Sequence, residues 1–520
     1  MFIASRRNFS SSNTMNQKIK ELDKLGELLR TEQSMGRKVV HAHGVFDLLH
    51  IGHVRHLQEA KRLGDILVVT VTADRHVNKG PDRPEFPQHL RAEMLAALEL
   101  VDYVAINRWL VPIETIRILK PDVYVKGPDY RIGGDDISSE ILPEANIVKE
   151  VGGKIHITED AAFSSSALLN RNFSPFTEET NEYLHDFRKK YALDEVLEWI
   201  HRVSELRPLV VGEAIIDEYL FSSPLGKSSK DPLLAVLYES LTAYAGGALA
   251  VANHLAGICA EVSLVSQLGT EDRREEFVMS ALLPSVNATF LTKTGTPTIC
   301  KRRVVDRYSG TKLLEVYMMD DRSPAGDEAE QIVDSVGSAL NECDVALVAD
   351  YGHGMLFNEA RELLCDRAPF LAVNAQSNAG NRGLNSISRY TRADYVCLAY
   401  HEIENELRRH SVSLEPDLLE VLGRIQCSRI TMTMGKDGSM HFEEGKGFAR
   451  GYALATNIID RVGAGDAVFA LTSLLVTLGA PWDIVAFAGN VAAAHVVAEI
   501  GNYRTLNKTE ILRHITSLMQ

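Results

Sequence analysis

The sequence of 520 residues has few cysteines, no excess of positive charge and no apolar run near the about 20 residues needed to span a bilayer. Its six cysteines all lie from Cys259 onward, and no two share the C-x-x-C spacing. This usage is typical of reduced cysteines in a cytoplasmic protein and argues against a zinc cluster. The net charge of −15 argues against nucleic acid or a membrane as partner, although a nucleotide site needs only a few local cations.

The composition is that of a soluble globular protein, with 45% hydrophobic and 24% charged residues. A chain of this length is too long to fold around a single hydrophobic core, so we expect two or more domains. Residues 1–20 contain four basic residues, several serines and no acid, a composition that resembles a transit peptide. A second start at Met15 explains this segment equally well, and no organelle is assigned.

Helix and strand patterns divide the chain into four segments. Residues 1–35 form an N-terminal extension with a lead-in helix, and residues 36–172 alternate strands and helices as a parallel α/β sheet does. Residues 173–206 begin polar and continue as a charged helix, which predicts a helical linker. Residues 207–520 show a second α/β alternation. The predicted fold class is therefore α/β, with two doubly wound domains.

The first motif is the segment 43–53, with the sequence HGVFDLLHIGH. It closely follows a short apolar run that predicts a strand, and it leads into an amphipathic helix. A strand, a glycine-containing turn and a helix N-terminus bring free backbone N–H groups and the helix dipole to one place, which favours an anion. His50 and His53, with the small Gly52 between them, can contact one triphosphate there. This arrangement predicts nucleotidyl transfer.

This block resembles the HxGH nucleotidyltransferase (cytidylyltransferase-like) family over about residues 36–172, and within it the sugar nucleotidyltransferase half of bifunctional ADP-heptose synthases. Further stretches that carry the resemblance are residues 55–65 (RHLQEAKRLGD), 91–98 (RAEMLAAL) and 120–130 (KPDVYVKGPDY). The resemblance implies a Rossmann-like fold in which His50 and His53 contact phosphate oxygens as charge moves to the leaving pyrophosphate. The other residues that it implies for nucleotide and phosphate binding are Gly44, Phe46, Asp47, Gly52, Lys79, Arg91, Lys126, Ser164, Ser165 and Ser166.

Some of these assignments have alternatives. Lys79 and Arg91 could instead be solvated surface charges, and the serines at 164–166 could form a plain helix N-cap. Thr72 stands where an asparagine is common, which favours a different acceptor. An HxGH segment also occurs in class I aminoacyl-tRNA synthetases, but this sequence has no KMSKS-like partner and no basic surface for tRNA.

The second motif is GAGD at residues 463–466, at the start of an apolar helix. Backbone N–H groups from Gly463 to Gly465 can hold the negative charge of a transferring phosphoryl group. Asp466, in the first turn of the helix, can accept the proton of an attacking hydroxyl. The motif therefore predicts phosphoryl transfer to a hydroxyl.

The GAGD motif and several other blocks resemble ribokinase-like (PfkB) sugar kinases over about residues 207–515. Residues 211–217 (VGEAIID) resemble the opening strand of that family, and residues 245–248 (AGGA) resemble its sugar-binding turn. The resemblance implies a ribokinase-like fold, Asp466 as catalytic base, and sugar binding by Asp217, Gly246 and Gly247. For the nucleotide and its phosphates it implies Glu402, Gly435, Gly438, Gly463, Ala464, Gly465 and Asn490.

The kinase-like half departs from the family pattern at several positions near sugar or phosphate. Ala399 replaces the asparagine of an Asn-x-x-Glu motif that ends in Glu402, which puts the usual magnesium and phosphate arrangement in doubt. The retained Asp217 and GAGD motif favour an active kinase, and the sugar-side changes favour a sugar other than the standard heptose phosphate. The other departures are Leu249 and Ala250 for an asparagine, residues 374–376 (NAQ) for Asp-Pro-Lys, His353 for a lysine, and Arg461-Val462 for a threonine.

Together the two motifs predict a bifunctional enzyme that phosphorylates a sugar and then activates a sugar 1-phosphate with a nucleotide. Bifunctional ADP-heptose synthases do this, usually with the kinase half first, whereas the order here is reversed. The resemblance implies Mg²⁺ in both steps, ATP for the kinase, ATP (or else CTP or GTP) for the transferase, and a monovalent cation. It also implies sugar phosphate and nucleotides as partners and a homodimer through the kinase half. No metal ligands are assigned.

Two alternatives stay open. In the first, only the transferase is active, and the kinase-like half binds sugar, regulates or dimerises. In the second, the transferase acts on an alcohol phosphate such as glycerol 3-phosphate, as close relatives of the first domain do.

Overall fold

The computed structural model describes residues 17–77, 84–127, 142–158, 175–381, 383–410 and 413–519. The chain divides into two compact units, Met1–Pro175 and Phe176–Met519. Within the described ranges, no helix combines the length and the apolar character that crossing a membrane requires.

The first unit contains one sheet of five parallel strands in the order β3-β2-β1-β4-β5. Strand β2 is buried along its whole length, as expected where helices cover both faces of a parallel sheet. The strands are β1 (Val39–Gly44), β2 (Ile66–Thr72), β3 (Tyr103–Asn107), β4 (Val123–Lys126) and β5 (Lys154–Ile157). The helices are α1 (Leu22–Ser34), α2 (Ile51–Lys61), α3 (Gln88–Ala96), α4 (Ile113–Leu119) and α5 (Leu142–Glu150).

The strand order of the first unit reverses between β1 and β4. In doubly wound sheets a ligand crevice opens at this point, outside the carboxyl ends of the strands. Gly44 ends β1 and Lys126 ends β4, so both predicted residues border the crevice.

The main sheet of the second unit has nine strands in the order β10-β9-β6-β13-β14-β15-β16-β17-β18. The strands from β10 to β16 are parallel, and β17 and β18 extend the sheet antiparallel. The strands are β6 (Pro208–Gly212), β9 (Val262–Gly269), β10 (Val286–Lys293), β13 (Val345–Asp350), β14 (Leu371–Ala375), β15 (Tyr395–Ala399), β16 (Arg429–Thr433), β17 (Ser439–Glu443) and β18 (Gly447–Gly451).

A second sheet of this unit, the small sheet, has the order β12-β11-β7-β8. Its strands are β7 (Ala214–Lys227), β8 (Leu234–Gly247), β11 (Cys300–Asp306) and β12 (Lys312–Met318). Asp217 stands opposite Lys301, and Tyr219 stands opposite Arg303. Because residues two apart on a strand share a face, all four side chains lie on one face of the small sheet.

The helices of the second unit cover the main sheet. Helix α14 is buried continuously from Asp466 to Val476, which explains why its sequence is apolar on all sides. The helices are α6 (Glu178–Lys190), α7 (Leu193–Val203), α8 (Ala248–Ala256), α9 (Glu275–Ala281), α10 (Asp327–Ala339), α11 (Asn358–Arg367), α12 (Tyr400–Leu407), α13 (Leu414–Leu422), α14 (Ala464–Thr477), α15 (Trp482–Val496) and α16 (Lys508–Met519).

The segment predicted as a helical linker forms α6 and α7, which belong to the core of the second unit. The Thr177 side chain caps α6 by accepting a hydrogen bond from the backbone N–H of Thr180. The Phe187 ring stacks on Phe487 with 4.4 Å between centroids. Helix α7 buries Val196, Ile200 and Val203, which share one helical face.

Candidate active sites

In the first unit, the HxGH motif places two imidazoles at the start of α2. His50 is the N-cap residue, and its Nδ1 accepts a hydrogen bond from the backbone N–H of Gly52 at 3.1 Å. The His50 and His53 rings lie side by side, with 4.0 Å between centroids. Because Nδ1 of His50 is an acceptor, the proton of its neutral form is on Nε2, and Nε2–H is the donor that an anion would meet.

The loop before α2 takes its shape from a glycine and an aromatic ring. Phe46 has a positive φ of 51°, an unusual backbone conformation for a bulky residue. Its ring would lie 3.1 Å from a Cβ atom at Gly44, so a side chain there would press against it. The same ring meets His53 edge-on at 5.3 Å, so Phe46 supports this imidazole.

Arg91 is buried beneath the loop that leads into α2. Its guanidinium uses four of its five N–H donors on protein oxygen atoms, and its role in phosphate binding stays a prediction. The acceptors are the carbonyl oxygens of Phe86 (2.8 Å), Val45 (2.5 Å) and Thr72 (2.8 Å) and the Asp74 carboxylate (2.6 Å). Arg91 therefore braces the nucleotide loop, and Asp47 adds to this by accepting the backbone N–H of Phe86 at 3.0 Å.

Lys126, at the end of β4, is a buried cation in the crevice. Its Nζ lies 2.9 Å from the Glu144 carboxylate and 5.6 Å from the Tyr124 ring centroid. Tyr124 donates its hydroxyl proton to the same carboxylate at 2.6 Å. Glu144 belongs to no sequence motif, and its pairing with Lys126 spans 18 residues, so this partner was not predicted.

A neutral polar cluster lies at the ends of β1 and β2. His41 Nε2 and His43 Nδ1 both approach the Thr70 hydroxyl, at 2.7 and 2.9 Å. Burial, with the nearby Lys126 ammonium, lowers the pKa of His41 to about 3 and also lowers that of His43. Both rings are therefore neutral at physiological pH. Lys79 and Ser164, Ser165 and Ser166 lie outside the described residues.

In the second unit, the GAGD motif forms a turn at the start of α14. Gly463 has a φ of 82°, in the left-handed region that favours glycine, and α14 begins at Ala464. Asp466 is buried, and its Oδ1 accepts hydrogen bonds from the Tyr351 hydroxyl (2.9 Å) and from Gln376 Nε2 (2.8 Å). Burial raises the pKa of Asp466 to about 6, although both hydrogen bonds oppose the shift.

Asp466 borders a cavity of about 420 Å³ between the small sheet and the main sheet. The small sheet contributes Asp217, Lys301 and Arg303, and the opposite wall contains Glu402 and Asp466. The remaining lining residues are Ile215, Gly247, Glu315, Tyr317, Tyr351, Asn374, Gln376, Ser377, Asn378, Ala379, Cys397, Leu398, Ala399, His401, Thr433, Arg461, Val462, Gly463 and Gly465.

The predicted sugar-binding residues meet at one end of this cavity. Asp217 pairs with Arg303 at 2.5 Å and accepts a hydrogen bond from Asn502 Nδ2 at 3.3 Å. A Cβ atom at Gly246 would lie 2.1 Å from the Asp217 carboxylate, so glycine is required there. Gly247 has a φ of 58° and leads into α8.

A buried lysine and a partly buried arginine distinguish this end of the cavity. Lys301 lies over the rings of Tyr317 and Tyr351, with 5.2 and 5.6 Å from Nζ to the centroids, and burial lowers its pKa. Arg303 pairs with Glu315 at 2.8 Å as well as with Asp217. Neither Lys301 nor Arg303 was predicted as a site residue, although the basic run 301–303 was a signal in the sequence.

The predicted nucleotide-binding residues divide into two groups. Glu402 borders the cavity and accepts backbone N–H bonds from Ala399 (2.7 Å) and Ser377 (2.9 Å), while burial raises its pKa to about 7. Asn490, in contrast, is buried away from the lining residues. Its Nδ2 donates to Ser439 Oγ (2.7 Å) and to the carbonyl oxygen of Ala486 (2.9 Å), and its role in nucleotide binding stays a prediction.

The turn predicted on the nucleotide side follows β16. Gly435 and Gly438 have φ angles of 60° and 83°, and they enclose a short 3-10 turn. A Cβ atom at Gly438 would lie 2.1 Å from the carbonyl oxygen of Gly451. Thr433, which ends β16, borders the cavity.

Comparison with known proteins assigns the second unit to a family. The model of the pfkB family of carbohydrate kinases matches residues 208–509, more than half of the chain. The chain belongs to the pfkB family of carbohydrate kinases. A second model, cytidylyltransferase-like, matches residues 41–171. These matches confirm the predicted fold class, a Rossmann-like domain followed by a ribokinase-like domain.

Individual proteins resemble parts of this pfkB-family chain. The bifunctional protein HldE of Nitratiruptor sp. is 44% identical over 138 residues, which are 26% of this chain and 30% of the relative. The bifunctional protein HldE of Campylobacter fetus is 47% identical over 132 residues, 25% of this chain and 28% of the relative. The chain thus spans about a third or less of the length of these curated relatives.

Solved structures of ribokinase-like proteins align with about three fifths of the chain. Arabidopsis thaliana ribokinase, complexed with ribose and ATP, aligns with 60% of this chain and 99% of its own at 14% identity and a TM-score of 0.47. Phosphofructokinase-2 from Escherichia coli, in complex with substrates and products, aligns with 61% of this chain and 100% of its own, at 13% identity and a TM-score of 0.49.

Proposed function

We propose that the chain makes a nucleotide-activated sugar in two steps, as its resemblance to ADP-heptose synthases implies. The second unit phosphorylates a sugar with ATP, and the first unit transfers a nucleotide to the resulting sugar 1-phosphate. The observation that carries the kinase half is Asp466, a buried carboxylate beside a glycine-rich helix start in the cavity that also contains Asp217.

In the kinase step, Asp466 accepts the proton of the attacking sugar hydroxyl. A pKa of about 6 leaves this carboxylate mostly ionised at neutral pH and gives it more basicity than an exposed aspartate. The backbone N–H groups of Gly463 and Gly465 lie at the N-terminus of α14, where the helix dipole adds positive charge. These groups stabilise the transferring phosphoryl charge.

The acceptor end of the cavity favours a sugar that already carries an anionic group. Asp217 can accept hydrogen bonds from sugar hydroxyls, while Lys301 and Arg303 provide two cations on the same face of the small sheet. A carboxylate beside two cations suits hydroxyls and a phosphate together. A sugar phosphate therefore fits this end better than an uncharged sugar.

Magnesium fits the donor chemistry of the cavity. Glu402 and the Asn374 side chain provide oxygen ligands, which a hard cation prefers, and Mg²⁺ usually binds through few protein groups plus substrate phosphates. When bound, the ion would neutralise the phosphates of ATP. Among the described residues, no group of three or more histidine, cysteine or acidic side chains forms a metal cluster. A monovalent cation stays a prediction, tested by comparing rates in potassium and tetramethylammonium salts.

In the transfer step, the sugar 1-phosphate attacks the α-phosphate of a nucleoside triphosphate in line with the departing pyrophosphate. The Nε2–H of His50 and the adjacent His53 ring lie at the N-terminus of α2, where an anion is favoured. Lys126 adds a cation at the neighbouring strand end. The chemistry here is positioning and charge stabilisation.

Separate inactivation of the two sites tests this proposal. Pyrophosphate release is measured for each of ATP, CTP, GTP and UTP against a panel of sugar 1-phosphates and glycerol 3-phosphate, and ADP release is measured with a panel of sugar phosphates. We expect His50→Ala to abolish transfer and keep phosphorylation, and Asp466→Asn to do the reverse. A folded variant that loses both activities would contradict the assignment of one site to each unit. If pyrophosphate is released only with glycerol 3-phosphate, the acceptor is an alcohol phosphate and not a sugar 1-phosphate.

We also infer a homodimer through the kinase half, as the family resemblance implies, and we propose the small sheet as its interface. Its face opposite Asp217 exposes Leu241, Leu314 and Val316, which are 41%, 55% and 43% exposed. Light scattering should report a dimer that Leu314→Glu converts to a monomer. The control Leu419→Glu changes a leucine of α13 whose exposure, 46%, is similar to that of Leu314. A parent protein that is already monomeric would contradict the inference.

The six free cysteines accord with the expected cytoplasmic location.

A further inference from the structure

Asp460 lies just before the GAGD turn, and its buried carboxylate collects four hydrogen bonds. The Lys312 ammonium donates to Oδ1 at 2.6 Å, and the Tyr219 hydroxyl donates to Oδ2 at 2.8 Å. The backbone N–H of Gly501 donates to Oδ2 at 3.1 Å, and that of Val462 donates to Oδ1 at 3.2 Å. One carboxylate therefore organises four donors.

These donors come from separate parts of the second unit. Tyr219 lies on β7 and Lys312 lies on β12, both in the small sheet that contains the acceptor-binding side chains. Val462 immediately precedes Gly463, and Gly501 follows α15. Asp460 thus joins the small sheet to the loop that leads into the phosphate-binding turn.

A second contact runs beside the first. Asn502, the neighbour of Gly501, donates from Nδ2 to the Asp217 carboxylate at 3.3 Å. A Cβ atom at Gly463 would lie 2.0 Å from Asn502 Oδ1, so this amide also touches the turn that receives the phosphoryl group. The segment 501–502 therefore contacts both Asp460 and the two functional ends of the cavity.

Lys312 is the charge that makes this arrangement stable. A buried carboxylate is costly unless a cation and hydrogen bonds compensate it, and charge-assisted bonds are about twice as strong as neutral ones. Lys312 reaches Asp460 across the Tyr219 ring, with its Nζ 5.5 Å from the centroid. Removing the ammonium would leave Asp460 with neutral donors only.

We propose that Asp460 and Lys312 are a pair of positioning residues that hold the acceptor-binding sheet in register with the phosphate-binding turn. The proposal rests on the kinase function proposed for this unit. It concerns the acceptor end of the cavity, because Asp217, Lys301 and Arg303 all lie on the sheet that the pair anchors. On the ATP side, Thr433 ends β16 of the main sheet, and Glu402 lies in α12, which directly follows β15.

Kinetics of the full-length protein test the pair. Lys312→Met keeps the length of the side chain and removes its charge, so we expect the KM for the best sugar phosphate of the panel to rise about tenfold, the effect of one charge-assisted hydrogen bond. The KM for ATP should stay within about twofold, since the loop before the phosphate-binding turn keeps its Val462 and Gly501 hydrogen bonds to Asp460 when Lys312 is replaced. Lys312→Arg should keep most of the acceptor affinity, and Asp460→Asn should behave as Lys312→Met.

Lys446→Met is the matched control, because Lys446 is an exposed lysine that also forms an ion pair, at 3.0 Å from Glu443. We expect it to leave both KM values unchanged. Equal changes in the two KM values of Lys312→Met, or none, would overturn the proposal.

Hydrogen–deuterium exchange provides a readout that needs no kinase activity. In Lys312→Met, peptides of β7, β8 and β12 should exchange about tenfold faster, since the small sheet loses one anchoring bond. Peptides of β13 to β16 should not change. Unchanged exchange in the small sheet, or faster exchange throughout the unit, would overturn the proposal. An inactive parent protein with the expected exchange pattern would contradict the kinase function and keep the anchoring role.

Discussion

Replacing Gln376 with lysine should move the acidic limb of the kinase pH profile to lower pH. Gln376 Nε2 lies 2.8 Å from Asp466 Oδ1 and is a neutral donor, so it stabilises the carboxylate only weakly. Burial keeps the pKa of Asp466 raised at about 6. An opposite charge within hydrogen-bond distance typically lowers a carboxyl pKa by about 1 to 3. In Gln376→Lys the pKa of Asp466 should therefore fall well below 6.

The direction of the shift follows from the role of the base. Asp466 accepts a proton only in its ionised form, so the rate falls as pH drops through its pKa. The parent protein should lose half of its kcat near pH 6, and Gln376→Lys should keep its kcat to a more acidic pH. At neutral pH the variant should be slower, because a carboxylate of lower pKa is a weaker base.

The assay is the pH dependence of kcat for ADP release between about pH 4 and pH 8, at saturating substrates. Tyr351→Phe provides a comparison of opposite sign, because it removes the 2.9 Å hydrogen bond to Asp466 Oδ1 and should raise the pKa of this carboxyl. An acidic limb that stays in place in both variants would refute Asp466 as the titrating base.

Three further changes test other parts of the structure. Arg91→Met leaves three carbonyl oxygens and a carboxylate without their donor. The first unit should therefore lose about 3 to 5 kcal/mol of stability in chemical denaturation, and an unchanged denaturation midpoint would contradict the bracing role. Gly246→Ala places a Cβ atom 2.1 Å from the Asp217 carboxylate, so the KM for the sugar acceptor should rise while the KM for ATP stays constant. An unchanged KM for the acceptor would contradict this placement of the sugar. His441 has a pKa lowered to about 3 by burial, so its contribution to stability is present above about pH 6.5 and is lost as pH falls. Between pH 6 and pH 4, His441→Gln should therefore lose up to about 1.4 kcal/mol less stability per pH unit than the parent, and an equal slope would contradict a buried neutral ring.

The sequence was sufficient to predict the fold class and the local backbone structure of both motifs. The HxGH and GAGD motifs each combine a glycine with a helix start. Because a turn followed by a helix start depends on neighbouring residues alone, such a motif can be recognised from the sequence. His50 caps α2 and Gly463 precedes α14 as these patterns predict. The periodicity of α6 and α7 predicted helices, whereas their membership in the second core depends on contacts such as that of Phe187 with Phe487.

Side-chain roles were harder to predict, because partners distant in sequence decide them. Arg91 has the charge that a phosphate contact requires, but the carbonyl oxygens around it come from loops as far as 46 residues away. Asn490 is likewise engaged by Ser439, 51 residues earlier. The pairing of Asp460 with Lys312 spans 148 residues and has no motif. Folding brings these groups together, and no local sequence pattern predicts their pairing.

The order of product formation tests the central claim most directly. Phosphorus NMR would follow the full-length protein with ATP, Mg²⁺ and a heptose phosphate, alongside the Asp466→Asn variant. We predict that ATP first phosphorylates the anomeric carbon, which gives a heptose bisphosphate and ADP. The 1-phosphate group then attacks a second ATP, which gives a nucleotide-activated heptose that keeps its first phosphate and releases pyrophosphate. Asp466→Asn should form neither, but should make the activated sugar when a sugar 1-phosphate is supplied. A variant that still phosphorylates the sugar, or that cannot use the supplied sugar 1-phosphate, would contradict two independent sites acting in sequence.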